Sequence, residues 1–405
     1  MHRRHGQGEV RFDAAVVCPG EPAGAGNPAH ESTNHHEAND DVSQRRAAPG
    51  IVTGMSLPAP KVTVGMAVYR GEAYIAEAIN SVLAETFQDW ELVLVNDASP
   101  DNSVRVIQTF SDPRIRLLEN ETNQGLVAVR NRIMIEARGS YLAWLDQDDL
   151  TLPNRLATQV AYLDANPEVA VCGSWTVMRY ESLDGSVTVT TERFPQHHEQ
   201  IRATMLFLNP IACNTVMMRR SAFAERELMF RAEFGNTLDY DIWSNASDTM
   251  RLCNLPQALA AYRVHASQTS HGAALDLMND HALQVQVDLI GRTLGIEMSD
   301  DERATHRSAT IAPLAINEPD QLETIARWLG RLKAANDSTG SFVRREFDQA
   351  LARQWTTVVL AASRGGASRT AAFRQGLAGA RQIGLPATAV VASAGAGVTR
   401  RLARR

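Results

Sequence analysis

The chain is poor in the features that mark several protein classes. Its 405 residues hold four cysteines, Cys18, Cys172, Cys213 and Cys253, which are widely scattered with no Cys-x-x-Cys pair. Neither a zinc site nor a disulfide framework is indicated, and a reducing compartment is the simplest reading. No long uninterrupted apolar segment exists, so a spanning helix is not expected; the gentlest candidate, Ile383 to Thr399, is interrupted by Pro386 and several glycines. Arg3 and Arg4 are not followed by an apolar stretch, which argues against a secretory signal. The first strand is not followed by Gly-x-Gly-x-x-Gly, and no Gly-x-x-x-x-Gly-Lys-Ser/Thr occurs, which sets aside dinucleotide-binding and phosphate-loop enzymes. A net charge of −6 gives no global reason to expect a nucleic-acid partner. Acids stop at Asp348 although arginines continue to Arg405. That basic tail could meet anionic lipid or another subunit. The lack of a strong apolar stripe favours an alanine-rich helical appendage instead.

What is present is ordinary globular composition, 44% hydrophobic and 21% charged, with length enough for two or three domains. Residues 1 to about 58 are rich in Gly, Pro, His, Asn and charge, and are expected to be disordered. Their histidines (His2, His5, His30, His35, His36) are read as solvated rather than as a metal site. Met55 is a candidate for the true first residue. From Lys61 the pattern becomes regular. Val62, Val64, Met66 and Val68 alternate with small residues, which marks a strand. Ile75, Ile79 and Val82 recur at helical spacing. Leu92 to Val95 and Ile115 to Leu118 read as strands, and helices are expected through Val104, Ile107 and Phe110 and through Leu126, Val129 and Ile133. Tyr141 to Leu145 is a buried strand tipped by Asp146, Asp148 and Asp149. A helix through Leu156, Val160 and Leu163 and a strand over Val169 to Cys172 follow. Such alternation predicts an α/β fold with a mostly parallel sheet flanked by helices. Residues 177 to 270 mix short strands and helices, and the pattern beyond Ser270 is mainly helical.

In a parallel sheet, ligands sit beyond the carboxyl ends of the strands. Tyr69, Asp97 and the pair Asp146/Asp148 all fall at such ends, so an aromatic, a lone acid and a metal-type acid pair converge there. Tyr69 could stack on a base, Asp97 could accept from a base N–H or a ribose hydroxyl, and the acid pair could hold Mg²⁺ or Mn²⁺ against a diphosphate. That is the inventory for a nucleotide-diphosphate donor. Each residue also has a plainer reading: Asp149 or Thr151 as a helix cap, Asp97 as a turn residue, Tyr69 as a strand-end packing aromatic.

Taken in order, these pieces resemble the family 2 glycosyltransferases of the GT-A fold. Val64 to Glu72 is similar to the family's opening strand and turn, and Val95-Asn96-Asp97-Ala98-Ser99-Pro100-Asp101 to its Asp-Asp-Gly-Ser-x-Asp segment. Asn123-Gln124-Gly125, Arg130-Asn131 and Ala137 to Tyr141 match its middle helix and lead-in. Asp146-Gln147-Asp148-Asp149 matches its metal motif, Asp239-Tyr240-Asp241-Ile242-Trp243 its acceptor-side acids, and Leu255-Pro256, Leu259, Tyr262-Arg263-Val264-His265 and Ser270 its closing segment. The resemblance implies a GT-A domain over 59–270, a disordered extension over 1–58 and a helical region over 271–405. It implies inverting sugar transfer from a nucleotide-diphosphate donor, most simply UDP-linked, to a hydroxyl acceptor, glycan or lipid-linked, in cell-surface polysaccharide synthesis. It also implies a cytoplasmic protein, with peripheral contact at the inner face of the membrane through the basic C-terminus as an option.

The roles it implies are specific. Asp97 contacts the base with Tyr69 near it, and Arg130 contacts the donor nucleotide. Asp146 approaches ribose and metal, Asp148 ligates Mn²⁺ or Mg²⁺, and His265 lies near the diphosphate or metal. Asp239 is the catalytic base, with Asp241 as the neighbour that could substitute; helix-start acids are their plainer reading. Departures from the pattern are Ala67 for proline, Arg70 for asparagine, Leu238 for an acid and Cys213 for histidine. Two rival functions remain open. One is a sugar-phosphate nucleotidyltransferase, although Val68 to Glu72 lacks the glycine-rich loop expected there. The other is a degenerate nucleotide-sugar-binding protein.

Overall fold

The computed structural model describes residues 59–181, 186–265, 268, 273–311, 313, 319–363 and 369–386. The N-terminal histidines, Met55, Cys18 and the basic tail beyond residue 386 lie outside them. The described chain forms one compact unit within 57–405. The first half runs β1 (Val62–Val68), α1 (Ile75–Leu83), β2 (Trp90–Asn96), α2 (Ser103–Ile107), β3 (Ile115–Glu119), α3 (Leu126–Glu136) and β4 (Tyr141–Trp144). A two-residue strand β5 (Leu150–Thr151), α4 (Arg155–Ala165), β6 (Val169–Glu181), β7 (Val187–Glu192), α5 (His198–Met205), β8 (Met217–Arg219), α6 (Arg220–Ala224), α7 (Leu238–Ala246) and β9 (Arg251–Val264) follow. Five helices close the unit: α8 (Ala273–Leu294), α9 (Asp300–Thr310), α10 (Pro319–Thr339), α11 (Arg344–Ala362) and α12 (Arg369–Ile383).

The strands form one sheet in the order β3-β2-β1-β4-β8-β6-β9-β5, with β7 beside the far half of β6. β3, β2, β1 and β4 are parallel, as helical crossovers require. The sheet then continues through antiparallel β8 into the long parallel pair β6/β9. Alternation along β1 explains the two covers. Val62, Val64, Met66 and Val68 join a core with Ile75, Ile79 and Val82 of α1 and Leu156, Val160 and Leu163 of α4. Each such side chain removed from water contributes about 1.5–3 kcal/mol. Val93 and Val95 of β2 and Leu142 and Trp144 of β4 face the other way, into a core shared with α3 and α7 and with Leu329, Leu351 and Trp355 of the C-terminal helices. The helical region thus covers one face of the sheet. No helix among the described residues is long and apolar enough to cross a membrane.

The expected strand at Val169–Cys172 starts where the apolar run predicts but extends nine residues further, to Glu181. Its outer half is partly buried and pairs with β7 and β9 instead of lying under a helix.

Candidate active site

Parallel registration of β1 with β2 and β4 sets Tyr69, Asp97 and the turn after Trp144 on one edge of the sheet. The turn is clasped to the end of β1: Gln147 Oε1 accepts from the Tyr69 N–H at 3.0 Å, and Gln147 Nε2 donates to the Tyr69 carbonyl at 2.8 Å. Tyr69 itself is exposed, with the Arg70 guanidinium over its ring. Asp97 is buried. Its Oδ1 accepts from Asn120 Nδ2 at 2.7 Å and from the Gln124 N–H at 2.9 Å, and its Oδ2 accepts from the Gly125 N–H at 2.8 Å. Gly125 has φ of 85°, a conformation that costs glycine little and turns its N–H toward the carboxylate at the start of α3. In this structure Asp97 therefore organises the 120–125 turn.

The acid turn faces two ways. Asp148 Oδ2 lies 3.0 Å from His265 Nε2, while Asp146 Oδ1 accepts from Arg130 Nη2 at 2.7 Å. The short strand β5 makes the first contact possible. It pairs Leu150 with Ala261 in antiparallel register, so two residues back Asp148 comes opposite Arg263 and the end of β9. Asp149 is turned inward, accepting from Asn214 Nδ2 and from the Arg263 N–H. Neither Asp149 nor Thr151 caps α4: Thr151 Oγ1 donates to Glu85, and the α4 N-cap position is Asn154. Burial raises the pKa of Asp148, the Asp146 charge adds to it, and His265 opposes it. Burial, then Asp146 and Asp148, push Asp149 well above the usual carboxylate range. Three acids this close gain from a cation beside them. Among the described residues, no three His, Cys, Asp or Glu side chains gather tightly enough to hold a metal by themselves.

Arg130 is buried, with Nη1 directed at Cys213 Sγ and its guanidinium near the rings of Trp144 and Phe230. Burial works against its charge, but Cys213, Asp146 and Asp239 outweigh it and hold its pKa above the usual arginine value. Burial pushes the Cys213 thiol up to about 12, so it stays a neutral partner near pH 7. Cys213, Cys172 and Cys253 are all buried and free.

Both acceptor-side acids lie in the first turn of α7, but their surroundings separate them. Asp239 is partly buried; Oδ2 accepts from Asn209 Nδ2 at 2.9 Å and Oδ1 from the Tyr240 N–H at 2.8 Å. Burial raises its pKa, Arg130 lowers it and Asp146 raises it, so it shares a field with the acid turn. Asp241 is fully buried and forms a bidentate pair with Arg231, with a further bond from Asn245 Nδ2. Gln147, Asn209, Asn214 and Arg263 received no role from the sequence. Arg263 alone carried a signal, standing two residues before His265 on a strand, where side chains share a face.

The chain is similar to known glycosyltransferases. The model of glycosyl transferase family 2 matches residues 63–226. A glycosyltransferase of Haemophilus influenzae without an assigned activity is 33% identical over 218 residues, 52% of this chain and 68% of that protein. The Escherichia coli protein named UDP-Glc:alpha-D-GlcNAc-diphosphoundecaprenol beta-1,3-glucosyltransferase WfgD is 32% identical over 183 residues, 45% of this chain and 68% of its own length. Among solved structures, S. aureus TarS in complex with UDP-GlcNAc aligns with 78% of this chain and 92% of that chain, at 18% identity and a TM-score of 0.47. That likeness is too loose to bear on the site. The fold is that of a glycosyltransferase with the GT-A architecture. The chain belongs to glycosyltransferase family 2.

Proposed function

We propose that this glycosyltransferase is inverting and metal-dependent, and that it takes its sugar from a UDP-type nucleotide donor. The observation that carries the reading is the double reach of the acid turn. Asp148 meets His265 on one side, Asp146 meets Arg130 on the other, and Asp239 lies within the field of Arg130 and Asp146. Asp148 and His265 supply one oxygen and one nitrogen donor, a mixed set that suits Mn²⁺ better than the oxygen-preferring Mg²⁺, and Asp146 adds charge beside them. Asp148 and His265 would hold the ion beside the donor diphosphate. When bound, the metal neutralises charge developing on the leaving diphosphate.

The chain's own groups supply the rest. Asp239 takes the proton from the incoming acceptor hydroxyl. Burial raises its pKa and so makes its carboxylate a stronger base than an exposed one, and the fixed charge of Arg130 opposes that rise. Asp241 is committed to Arg231 and serves to anchor α7. The expected contact of Arg130 with the nucleotide becomes, in this reading, a charge-holding role between Asp146 and Asp239. Tyr69 offers an exposed ring for a base, and Asp97 Oδ2, which accepts one bond within the turn, is assigned to the base N–H. Attack opposite the leaving group inverts the anomeric centre. The acceptor is assigned as a glycan or lipid-linked hydroxyl in cell-surface polysaccharide synthesis, in keeping with the name of the E. coli relative. The protein is assigned to the cytoplasm in this reading.

A panel of nucleotide-sugars with and without Mn²⁺, read by thermal stabilisation, tests this. The true donor at a hundred times its dissociation constant stabilises by about 2.7 kcal/mol. Asp148→Ala is expected to remove the Mn²⁺-dependent part and donor turnover while the apo protein stays folded. Near wild-type turnover in that variant would refute the metal assignment. Pyrophosphate release from a nucleoside triphosphate would support the nucleotidyltransferase alternative.

A further inference from the structure

Arg263 is a buried cation at the end of β9, beside the acid turn. Its Nε donates to the Asp148 carbonyl at 3.0 Å, and its own N–H donates to Asp149 Oδ1 at 2.9 Å. Its two terminal nitrogens reach separate elements: Nη2 to Glu77 Oε2 of α1 at 2.7 Å, and Nη1 to Glu181 Oε1 at the end of β6 at 2.8 Å. The guanidinium lies 4.9 Å from the centroid of Tyr74, whose ring also packs against His265 at 4.4 Å. Arg263 and His265 are two residues apart on extended chain, so both side chains leave on one face and meet that same ring. A planar fork with five donors can make these contacts at once, whereas a lysine ammonium cannot.

Resting on the metal-dependent reading above, we propose that Arg263 is the positioning residue of the metal-binding edge. It fixes the Asp148 backbone and, through Tyr74, the direction of His265 Nε2, so that both donors face one point before a cation arrives. Glu77 and Glu181 are its anchors and set the guanidinium plane. None of the three touches the substrate in this assignment. They act through Asp148 and His265, as outer partners do when they orient metal ligands.

The test measures Mn²⁺ binding directly, by electron paramagnetic resonance of free Mn²⁺ in the presence of UDP, with no turnover involved. Arg263→Lys is expected to weaken Mn²⁺ binding by about tenfold or more, in the range seen when partners of metal ligands are removed. Glu77→Gln alters a side chain that is 55% exposed, so the fold is not at risk, and about a two- to fivefold loss is expected. In turnover, the half-saturating Mn²⁺ concentration rises in both variants far more than kcat at saturating Mn²⁺ falls. Variants that melt earlier but bind Mn²⁺ as the wild type does would overturn the proposal and leave the metal-dependent reading standing. A wild-type protein that binds no Mn²⁺ with UDP would overturn both.

Discussion

Asp239 and Asp241 stand two residues apart in one helical turn, and their isosteric amides should fail in opposite ways. In Asp239→Asn the amide oxygen still accepts from the Tyr240 N–H, and one bond, from Asn209, is lost. That costs about 1 kcal/mol of stability. The lost proton acceptor lowers the transfer rate by about 10²–10⁴-fold, or roughly 3–5 kcal/mol of activation free energy. In Asp241→Asn the bidentate pair with Arg231 is broken. Arg231 is 43% exposed and can turn to solvent, so the cost falls below the roughly 3–5 kcal/mol typical of a fully buried pair, to about 2 kcal/mol. For a unit of this size that is a fall of about 3 °C in Tm. The assay pairs single-turnover transfer at low temperature with thermal melts of each variant, and adds nucleotide binding as a control. Asp239→Asn should lose rate while keeping its nucleotide and losing only about 1–2 °C in Tm. Asp241→Asn should lose Tm while keeping its rate within about an order of magnitude of wild type, a far smaller change than loss of the base. If Asp241→Asn is the catalytically dead protein and Asp239→Asn turns over normally, the base has been misassigned and the field argument built on Arg130 fails with it.

Three further outcomes follow from local geometry. Ala98 sits at φ of 53° where the family pattern has glycine; Ala98→Gly should raise stability by about 0.5–1 kcal/mol, seen as a higher urea midpoint at constant slope. An unchanged or lower midpoint would contradict the strain at that turn. Gly139→Ala would place a methyl 2.4 Å from the Thr63 amide nitrogen and 2.8 Å from the Tyr141 carbonyl oxygen, both backbone atoms. It should cost about 3 kcal/mol or more, and a soluble variant with wild-type Tm would show that β1 and β4 are further apart there. Burial holds His306 down at about 4 while Trp328 Nε1 donates to its Nδ1. The unfolded chain takes up that proton near pH 6.5 and the folded protein does not, so stability falls as pH drops from 6.5 to about 4, by about 3 kcal/mol in all. His306→Asn, which retains an acceptor for the indole, should flatten that acid slope; an unaltered slope would mean the imidazole is hydrated.

The first half of the fold was legible because its elements are written in short-range patterns. β1, β2 and β4 are apolar runs of four to seven residues, and α1, α3 and α4 carry their apolar residues at helical spacing. The second half was less so. β5 is two residues long and leaves no periodic trace, although it brings the acid turn to β9. The outer half of β6 is a half-buried ribbon of mixed polarity, which carries no single clear period and reads only as part of a stretch of mixed short strands and helices. In the site, the nearness of Asp146 to Asp148 is written in one short motif, and Asp148 meets His265 from the closing segment. The separation of Asp239 from Asp241 is not written in a motif, because their helical turn is common and only tertiary partners, Asn209 and Arg231, divide them. Arg263 was hidden for the same reason: its partners Glu77, Asp148 and Glu181 lie 186, 115 and 82 residues away. The departures at Ala98 and Arg70 acquire a physical meaning from the backbone, since both hold left-handed φ values that glycine or asparagine would adopt more readily.

The most direct test is a crystal of the protein grown with Mn²⁺ and UDP and measured at the manganese absorption edge. The account requires an anomalous peak within ligating distance of a carboxylate oxygen of Asp148 and of His265 Nε2, with the diphosphate completing its coordination. Bound nucleotide with manganese held elsewhere, or with no manganese at all, would contradict it.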